Sequence, residues 1–115
     1  MSAALLSVVE TVRRMPPGRL RSAGRVDAAR ALARALAATV QGIEQARSPE
    51  RPAWRDLPDV PDLVVGDQLA VLARDLQLAV AAGPPAEVWT PAGRAPFSAV
   101  LAELRAKIAE TNRAL

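Results

Sequence analysis

The clearest structural pattern in the chain lies in GRVDAARALARALAATVQGIEQA, residues 24–46. Apolar residues recur there at alternating spacings of three and four, which is the periodicity of one face of an α-helix. Arginine and glutamine occupy the opposite face, so we expect that face to be solvated. The small side chains of Ala29 and Ala33 would let a neighbouring helix approach closely. The apolar positions are Val26, Ala29, Ala33, Leu36, Val40 and Ile43, and the polar ones are Arg30, Arg34, Gln41 and Gln45.

Three further helices are predicted from the same periodicity. The Pro-Pro-Gly run at 16–18 ends the first of them, because proline and the residue before it both disfavour a helix interior. Glycine followed by two prolines at 83–85 ends the third helix of the chain in a common way. The predicted helices span residues 3–14, from between Asp62 and Asp67 to Ala82, and 97–115.

Two connections separate these helices. Residues 48–61, SPERPAWRDLPDVP, are rich in proline and charge, which predicts an irregular segment rather than a helix. The segment is longer than a usual bundle connection, so we expect it to lie along the bundle, held by Trp54, Leu57 and Val60. Residues 86–96 are predicted to be a turn-rich connection with Trp89 as its anchor.

Four amphipathic helices in so short a chain predict an all-α fold, an antiparallel four-helix bundle with a long proline-rich connection between helices 2 and 3. The length of 115 residues is typical of one domain, so residues 1–115 are expected to form a single helical bundle. No stretch reaches the roughly 18 apolar residues of a membrane span, and we expect no membrane partner. Glu10 interrupts the first apolar run, which argues against a signal peptide and favours a cytoplasmic protein.

Side chains that most often transfer protons and bind transition metals are nearly absent. The sequence has no histidine, cysteine or tyrosine, and Lys107 is its only lysine. No phosphate-binding, dinucleotide-binding or nucleophile motif occurs. Asp67 and Asp75 share a predicted helix face, but they are about 12 Å apart by helical rise, which is too far to share a proton. We therefore predict that the chain has no catalytic residues, no metal and no cofactor, and is not an enzyme.

Basic residues concentrate in the first half of the chain. Residues 1–55 contain ten arginines and four acids, whereas residues 56–115 contain five basic residues and eight acids. A regulator that binds nucleic acid or an acidic partner is therefore one alternative function, since clustered arginines can neutralise phosphates. Against it, no aromatic residue interrupts the cluster to stack on bases, and the codon usage of a high-GC bacterium would itself produce many arginines. The candidate anion-binding patch is Arg13, Arg14, Arg19, Arg21, Arg25, Arg30 and Arg34.

The helix ending at Ala82 has a second apolar strip on the side opposite its main stripe, and a helix with two apolar sides needs partners on two sides. The last helix adds a seam with four-three-four spacing. We therefore predict a small non-enzymatic protein–protein interaction module, either a homodimer or an accessory subunit of a larger protein. The alternative is a monomer in which the proline-rich connection covers the second strip. The candidate interface residues are Val71, Leu78, Ala82, Leu104, Ile108 and Leu115.

A third hypothesis is a carrier of a small apolar ligand. Alanine-rich helices can leave a cavity between them where larger side chains do not close the packing. Such a carrier requires a pocket near Trp54 or Trp89, and a close-packed surface at both tryptophans would argue against it.

Overall fold

A computed structural model of the chain describes residues 2–115. Within that range the chain forms five helices, one 3-10 turn and one pair of strands. In chain order they are α1 (Ser2–Arg14), α2 (Pro17–Leu20), α3 (Arg25–Glu44), the 3-10 turn (Asp62–Val64), α4 (Val65–Ala81), β1 (Glu87–Thr90), β2 (Gly93–Pro96) and α5 (Phe97–Ala114).

The prediction of an all-α four-helix bundle is wrong. The four predicted helices are present as α1, α3, α4 and α5, but the fold also contains a two-stranded antiparallel sheet and the short helix α2. The sheet lies in residues 86–96, which were predicted to be a turn-rich connection. Its register pairs Glu87 with Pro96, Val88 with Ala95, Trp89 with Arg94 and Thr90 with Gly93.

The hairpin of β1 and β2 forms because its side chains have buried partners. Val88 is completely buried in the core, and the Trp89 indole donates a hydrogen bond to the Ser48 carbonyl oxygen at 3.1 Å. The Arg94 guanidinium lies 4.9 Å from the centre of the Trp89 ring, a cation–π contact across the strand pair. Pro91 and Ala92 form the connection between the strands, and that pair lacks the Asn-Gly type of signal by which short hairpins are recognised in a sequence.

α3 is the central element, and it packs against α4, α5 and β1. Its close contact with the hairpin depends on Gly42, because a Cβ placed there would lie 2.0 Å from the Trp89 carbonyl oxygen. α1 packs against α4 and α5. The contact with α4 is close at Gly66, where a Cβ would lie 2.8 Å from Cγ of Arg13. The largest completely or almost completely buried side chains are Leu5, Val8, Leu32, Leu36, Val65, Leu69, Leu76 and Val88.

The proline-rich connection lies on the surface of α3, where side chains of the helix form hydrogen bonds with the backbone of the connection. The Gln41 amide donates to the Ala53 carbonyl oxygen at 2.9 Å and accepts from the Arg55 backbone N–H at 3.2 Å. Gln41 is therefore buried, and the prediction that it lies on a solvated face of the helix is wrong. The amide could not be recognised as buried from helical periodicity, since its partners lie 12 and 14 residues away.

The three residues expected to hold this connection, Trp54, Leu57 and Val60, are half-buried. Leu57 packs against the hydrophobic core, and the Val60 carbonyl oxygen accepts a hydrogen bond from Arg30 at 2.8 Å. Gln68 of α4 donates to the Pro58 carbonyl oxygen at 3.0 Å. Hydrogen bonds from α3 and α4 thus hold an extended segment that cannot form a regular ladder of its own.

Candidate functional site

α4 exposes a line of large aliphatic side chains opposite its buried stripe. Val71 and Leu78 are each 60% exposed, and Val64, in the turn before the helix, is 39% exposed. The three residues are seven positions apart, which is close to two helical turns, so they follow one line along α4. We call Val64, Val71 and Leu78 the outer strip. A row of exposed aliphatic side chains on one face is the usual mark of a contact surface.

The six residues predicted as an interface do not form one surface. Those on α4 are exposed, whereas two of those on α5 are buried in the core of the chain itself. The regularly spaced apolar residues of α5 therefore pack against α3 and α1 within the chain. The exposed candidate residues are those of α4. Val71, Leu78 and Ala82 are exposed, Leu104 and Ile108 are 4% and 2% exposed, and Leu115 is half-buried.

Val64 was not among the predicted interface residues, because it lies just before the predicted apolar stripe of the helix. The signal that identifies it is its spacing of seven residues from Val71. Its exposed position follows from the end of the preceding 3-10 turn, where Val65 turns inward and is completely buried.

Two lines of polar side chains flank the outer strip, and each repeats its spacing of seven. Asp67 and Arg74 lie along one side, and Gln68 and Asp75 lie along the other. Asp67 forms an ion pair with Arg13 at 3.2 Å. Arg74 and Asp75 are exposed and form no ion pair with any residue in 2–115. The unpaired base and the unpaired acid therefore lie on opposite sides of the strip.

Most of the predicted anion-binding patch already contacts acids or backbone oxygens. Arg13 pairs with Asp67, Arg14 with Glu10 at 3.1 Å, and Arg21 and Arg30 with Asp62. Arg25 donates to the backbone oxygens of Leu115 and Arg19. Within the described part of the chain, Arg19 and Arg34 are the members without an ion pair or a side-chain hydrogen bond. Three acids thus pair with four of the seven arginines, so the cluster keeps a net positive charge although several of its members are already engaged.

Asp62 is the acid that pairs with two of these arginines. Its carboxylate accepts from Arg30 at 2.7 Å and lies 3.5 Å from Arg21. The hydrogen bond from Arg30, together with the charges of both arginines, lowers the pKa of Asp62, and this outweighs the desolvation that would raise it. The contacts join the end of α2, the first half of α3 and the turn before α4.

A shallow groove runs along the surface of α3 between the proline-rich connection and α5. Its floor is made of Ala35, Ala37 and Ala38, whose side chains are single methyl groups. The groove contains two cavities, of about 280 Å³ and 260 Å³, and Ala38 and Pro91 line both of them. We call them the Trp54 cleft and the Trp89 cleft after the tryptophan that lines each one.

The Trp54 cleft contains an unusual polar group. Among residues 2–115, the indole N–H of Trp54 is a buried donor without a hydrogen-bond acceptor. A buried donor left unpaired costs about 1–3 kcal/mol. Arg34 and Arg55 line the same cleft, and neither forms an ion pair with any described residue. The unpaired donors that the cleft presents above its apolar floor are therefore the two guanidinium groups.

No protein-family model, characterised protein or solved structure matches this chain. No helix in residues 2–115 is both long and apolar enough to cross a membrane. The described residues also contain no group of three or more acids placed to hold a metal ion. The two surfaces on which a partner or ligand could bind are the outer strip of α4 and the groove along α3.

Proposed function

We propose that this chain is a non-enzymatic protein–protein interaction module that pairs with a second copy of itself through the outer strip of α4. The observation that carries the proposal is the exposure of Val64, Val71 and Leu78 on one line of the helix. Burying an aliphatic side chain of this size contributes about 1.5–3 kcal/mol relative to leaving it in water. Because the three side chains are 39–60% exposed, a partner that covers the strip gains roughly half of this free energy at each position.

A second copy fits because the strip is symmetric about its middle residue. Two α4 helices that pack antiparallel about a two-fold axis at Val71 bring the two Val71 side chains together. The same axis places Val64 against the partner's Leu78, seven residues to either side. A self-complementary surface of this kind is what a two-fold interface requires.

The polar flanks support the same arrangement. A two-fold axis between antiparallel helices brings equivalent flanks together, so Asp67 lies near the partner's Arg74 and Arg74 near the partner's Asp67. On the other flank Gln68 lies near the partner's Asp75. The Asp67 carboxylate, which already pairs with Arg13 at 3.2 Å, is shared with the partner's Arg74. Opposite charges placed around an apolar strip help to set the orientation and register of the pair.

The size of the surface sets the expected affinity. α4 has 17 residues, and its length of about 25 Å gives an interface at the small end of specific protein contacts. We therefore expect reversible dimerisation with a Kd of about 1–100 µM.

Sedimentation equilibrium tests the proposal directly. Wild-type protein should shift from 12.1 kDa to twice that mass over this concentration range, and Val71→Arg should remain at 12.1 kDa. The matched control is Leu6→Arg, which adds the same charge at an exposed leucine on α1 and should leave dimerisation unchanged. A wild-type chain that stays monomeric, or a dimer insensitive to Val71→Arg, would contradict the proposal.

A charge exchange on one flank separates this dimer from an unspecific apolar contact. Arg74→Asp and Asp67→Arg should each weaken dimerisation, because each change puts like charges opposite one another. The double variant should recover most of the affinity, since the pair is restored with its signs reversed. Two single variants that behave like the wild type would show that α4 is not antiparallel to its partner in this register.

The nucleic-acid alternative has less support than the dimer. Four of the seven arginines in the predicted patch form ion pairs with acids of the same chain. The sedimentation experiment has one other outcome. A monomeric wild-type chain would indicate that the outer strip docks onto a different protein.

A further inference from the structure

The groove along α3 has two chemically different ends. At the Trp54 cleft, two arginines and one acid, Asp56, line the cavity, so two positive charges and one negative charge leave a net charge of +1. Neither Arg34 nor Arg55 is paired with an acid among the described residues. The buried N–H of Trp54 also lacks an acceptor in the described chain. This end is suited to a group that carries negative charge and accepts hydrogen bonds.

At the Trp89 cleft the lining is mainly apolar. Trp89, Val100 and Leu104 form its walls, and the charges of Glu103 and Lys107 offset one another. The indole N–H of Trp89 is already bonded to the Ser48 carbonyl oxygen. This end therefore presents hydrophobic surface with little net charge and no unpaired indole donor.

The two ends are joined by a methyl-lined floor. Ala38 and Pro91 line both cavities. The two clefts therefore adjoin at these residues, and a larger side chain at position 38 would obstruct passage from one cleft to the other. With about 280 Å³ and 260 Å³ in the two parts, the groove has the size of a site for a small molecule.

We propose that this groove binds a small amphipathic carboxylate. The carboxylate lies in the Trp54 cleft, where the guanidinium groups of Arg34 and Arg55 donate to its oxygens. The hydrocarbon part crosses Ala38 and Pro91 and lies against Trp89 and Leu104. Guanidinium groups match the geometry of carboxylates, and the floor of alanines removes hydrocarbon from water.

Isothermal titration with octanoate tests the site, with octanol and inorganic phosphate as probes of each half alone. Octanoate should bind saturably to the wild-type chain, and both partial probes should bind at least about tenfold more weakly. If octanol bound as tightly as octanoate, the site would be only an apolar surface. If phosphate bound as tightly as octanoate, it would be only an anion site. Either result would overturn the proposal, as would the absence of saturable octanoate binding up to about 5 mM.

Removing the basic end should weaken octanoate selectively. The double variant Arg34→Gln/Arg55→Gln is expected to lose at least about tenfold in octanoate affinity, the effect of losing one charge-assisted hydrogen bond. Its weak affinity for octanol should not change. Arg113→Gln is the matched control, because Arg113 is an exposed arginine on α5 outside the groove. Equal losses in the control and in the double variant would contradict a role for Arg34 and Arg55.

Blocking the passage tests the other half. Ala38→Phe should abolish octanoate binding, while Ala38→Ser should retain it; circular dichroism checks that both variants fold. Trp54→Phe should reduce the affinity and leave only the fluorescence change that comes from Trp89 in the other cleft. Val71→Arg changes no residue that lines the groove and should bind octanoate as the wild type does. Loss of dimerisation and loss of ligand binding are therefore separable outcomes.

Discussion

Gly42 shows how one residue determines the position of a whole hairpin. Glycine within a helix is usually unfavourable by about 1 kcal/mol relative to alanine. Here the absence of a side chain lets the backbone of β1 lie directly on α3, because a Cβ at position 42 would be 2.0 Å from the Trp89 carbonyl oxygen. The cost in helix propensity is offset by the burial of Val88 and Trp89, which this close approach allows.

Substitution of Gly42 by alanine should therefore destabilise the protein. We expect a loss of about 1–3 kcal/mol in the free energy of unfolding, because the hairpin must move away from α3 to accommodate the methyl group. Urea denaturation measures the change. Gly18→Ala is the control, since a Cβ at that position meets nothing within 4 Å and its backbone suits alanine. A Gly42→Ala variant as stable as wild type would show that the hairpin is not fixed at this point.

Asp62 provides a prediction of pH dependence at the same scale. Its pKa is lowered by the hydrogen bond from Arg30, so the folded state favours the ionised carboxylate. The sign follows from linkage: this stabilisation is present above the ordinary pKa of aspartate and is lost as the pH falls through the lower, folded-state pKa. The loss is therefore expected below about pH 4.

Asp62→Asn should be less stable than wild type at pH 7, and the difference should shrink as the pH falls below about 4. Urea denaturation across this range measures both effects. Asp59→Asn is the matched control, because Asp59 is exposed and forms no ion pair within residues 2–115. A difference between wild type and Asp62→Asn that is constant with pH would contradict the role assigned to this carboxylate.

At the level of elements, the proline-rich connection depends on α3 for its position. It has no strand or helix between Gln45 and Pro61, and its backbone groups bond instead to side chains on the helices. Gln41 contributes most directly, because its amide bonds both the Ala53 carbonyl and the Arg55 N–H. The same connection forms one wall of the groove through Trp54 and Leu57.

Gln41→Met should release this segment while preserving the size of the side chain. We expect a loss of about 1–3 kcal/mol, because two partly buried backbone groups lose their partners. Cleavage by trypsin after Arg55 should accelerate, and that rate is the more specific measurement; the Arg51–Pro52 bond resists trypsin. In the control variant Gln45→Met, an exposed glutamine whose side chain makes no hydrogen bond among the described residues, the cleavage rate should stay at the wild-type value. Unchanged cleavage of Gln41→Met would show that other contacts hold the segment.

For the whole molecule, folding brings together two halves of opposite charge. Residues 1–55 carry ten basic and four acidic groups, and residues 56–115 carry five basic and eight acidic groups. Arginines of the first half pair with Asp62 and Asp67 of the second. Exposed pairs of this kind contribute little each, about 0–1 kcal/mol. Their main consequence is that positive and negative charges are less separated on the folded surface than along the sequence.

Small-angle X-ray scattering tests the dimensions of the fold and its pairing together. The chain measures 45 × 26 × 21 Å with a Cα radius of gyration of 14.2 Å. Val71→Arg should scatter as a particle of about this radius at every concentration, whereas the wild type should show a larger radius that grows with concentration as dimers form. Leu6→Arg should follow the wild type. A radius well above 14.2 Å for Val71→Arg in dilute solution would contradict the packing described for the chain.

The positions of the four long helices, and the irregular course of residues 48–61, were predictable from the sequence, because they depend on contacts three or four residues apart and on proline. The hairpin, the burial of Gln41 and the unpaired N–H of Trp54 could not be predicted, since each depends on residues distant in the chain. Packing between distant elements also explains why two pairs of apolar residues differ in exposure. α3 and α1 cover Leu104 and Ile108, whereas nothing in the described chain covers Val71 and Leu78. Periodicity identifies an apolar face, but only the packing of distant helices determines whether that face is core or surface.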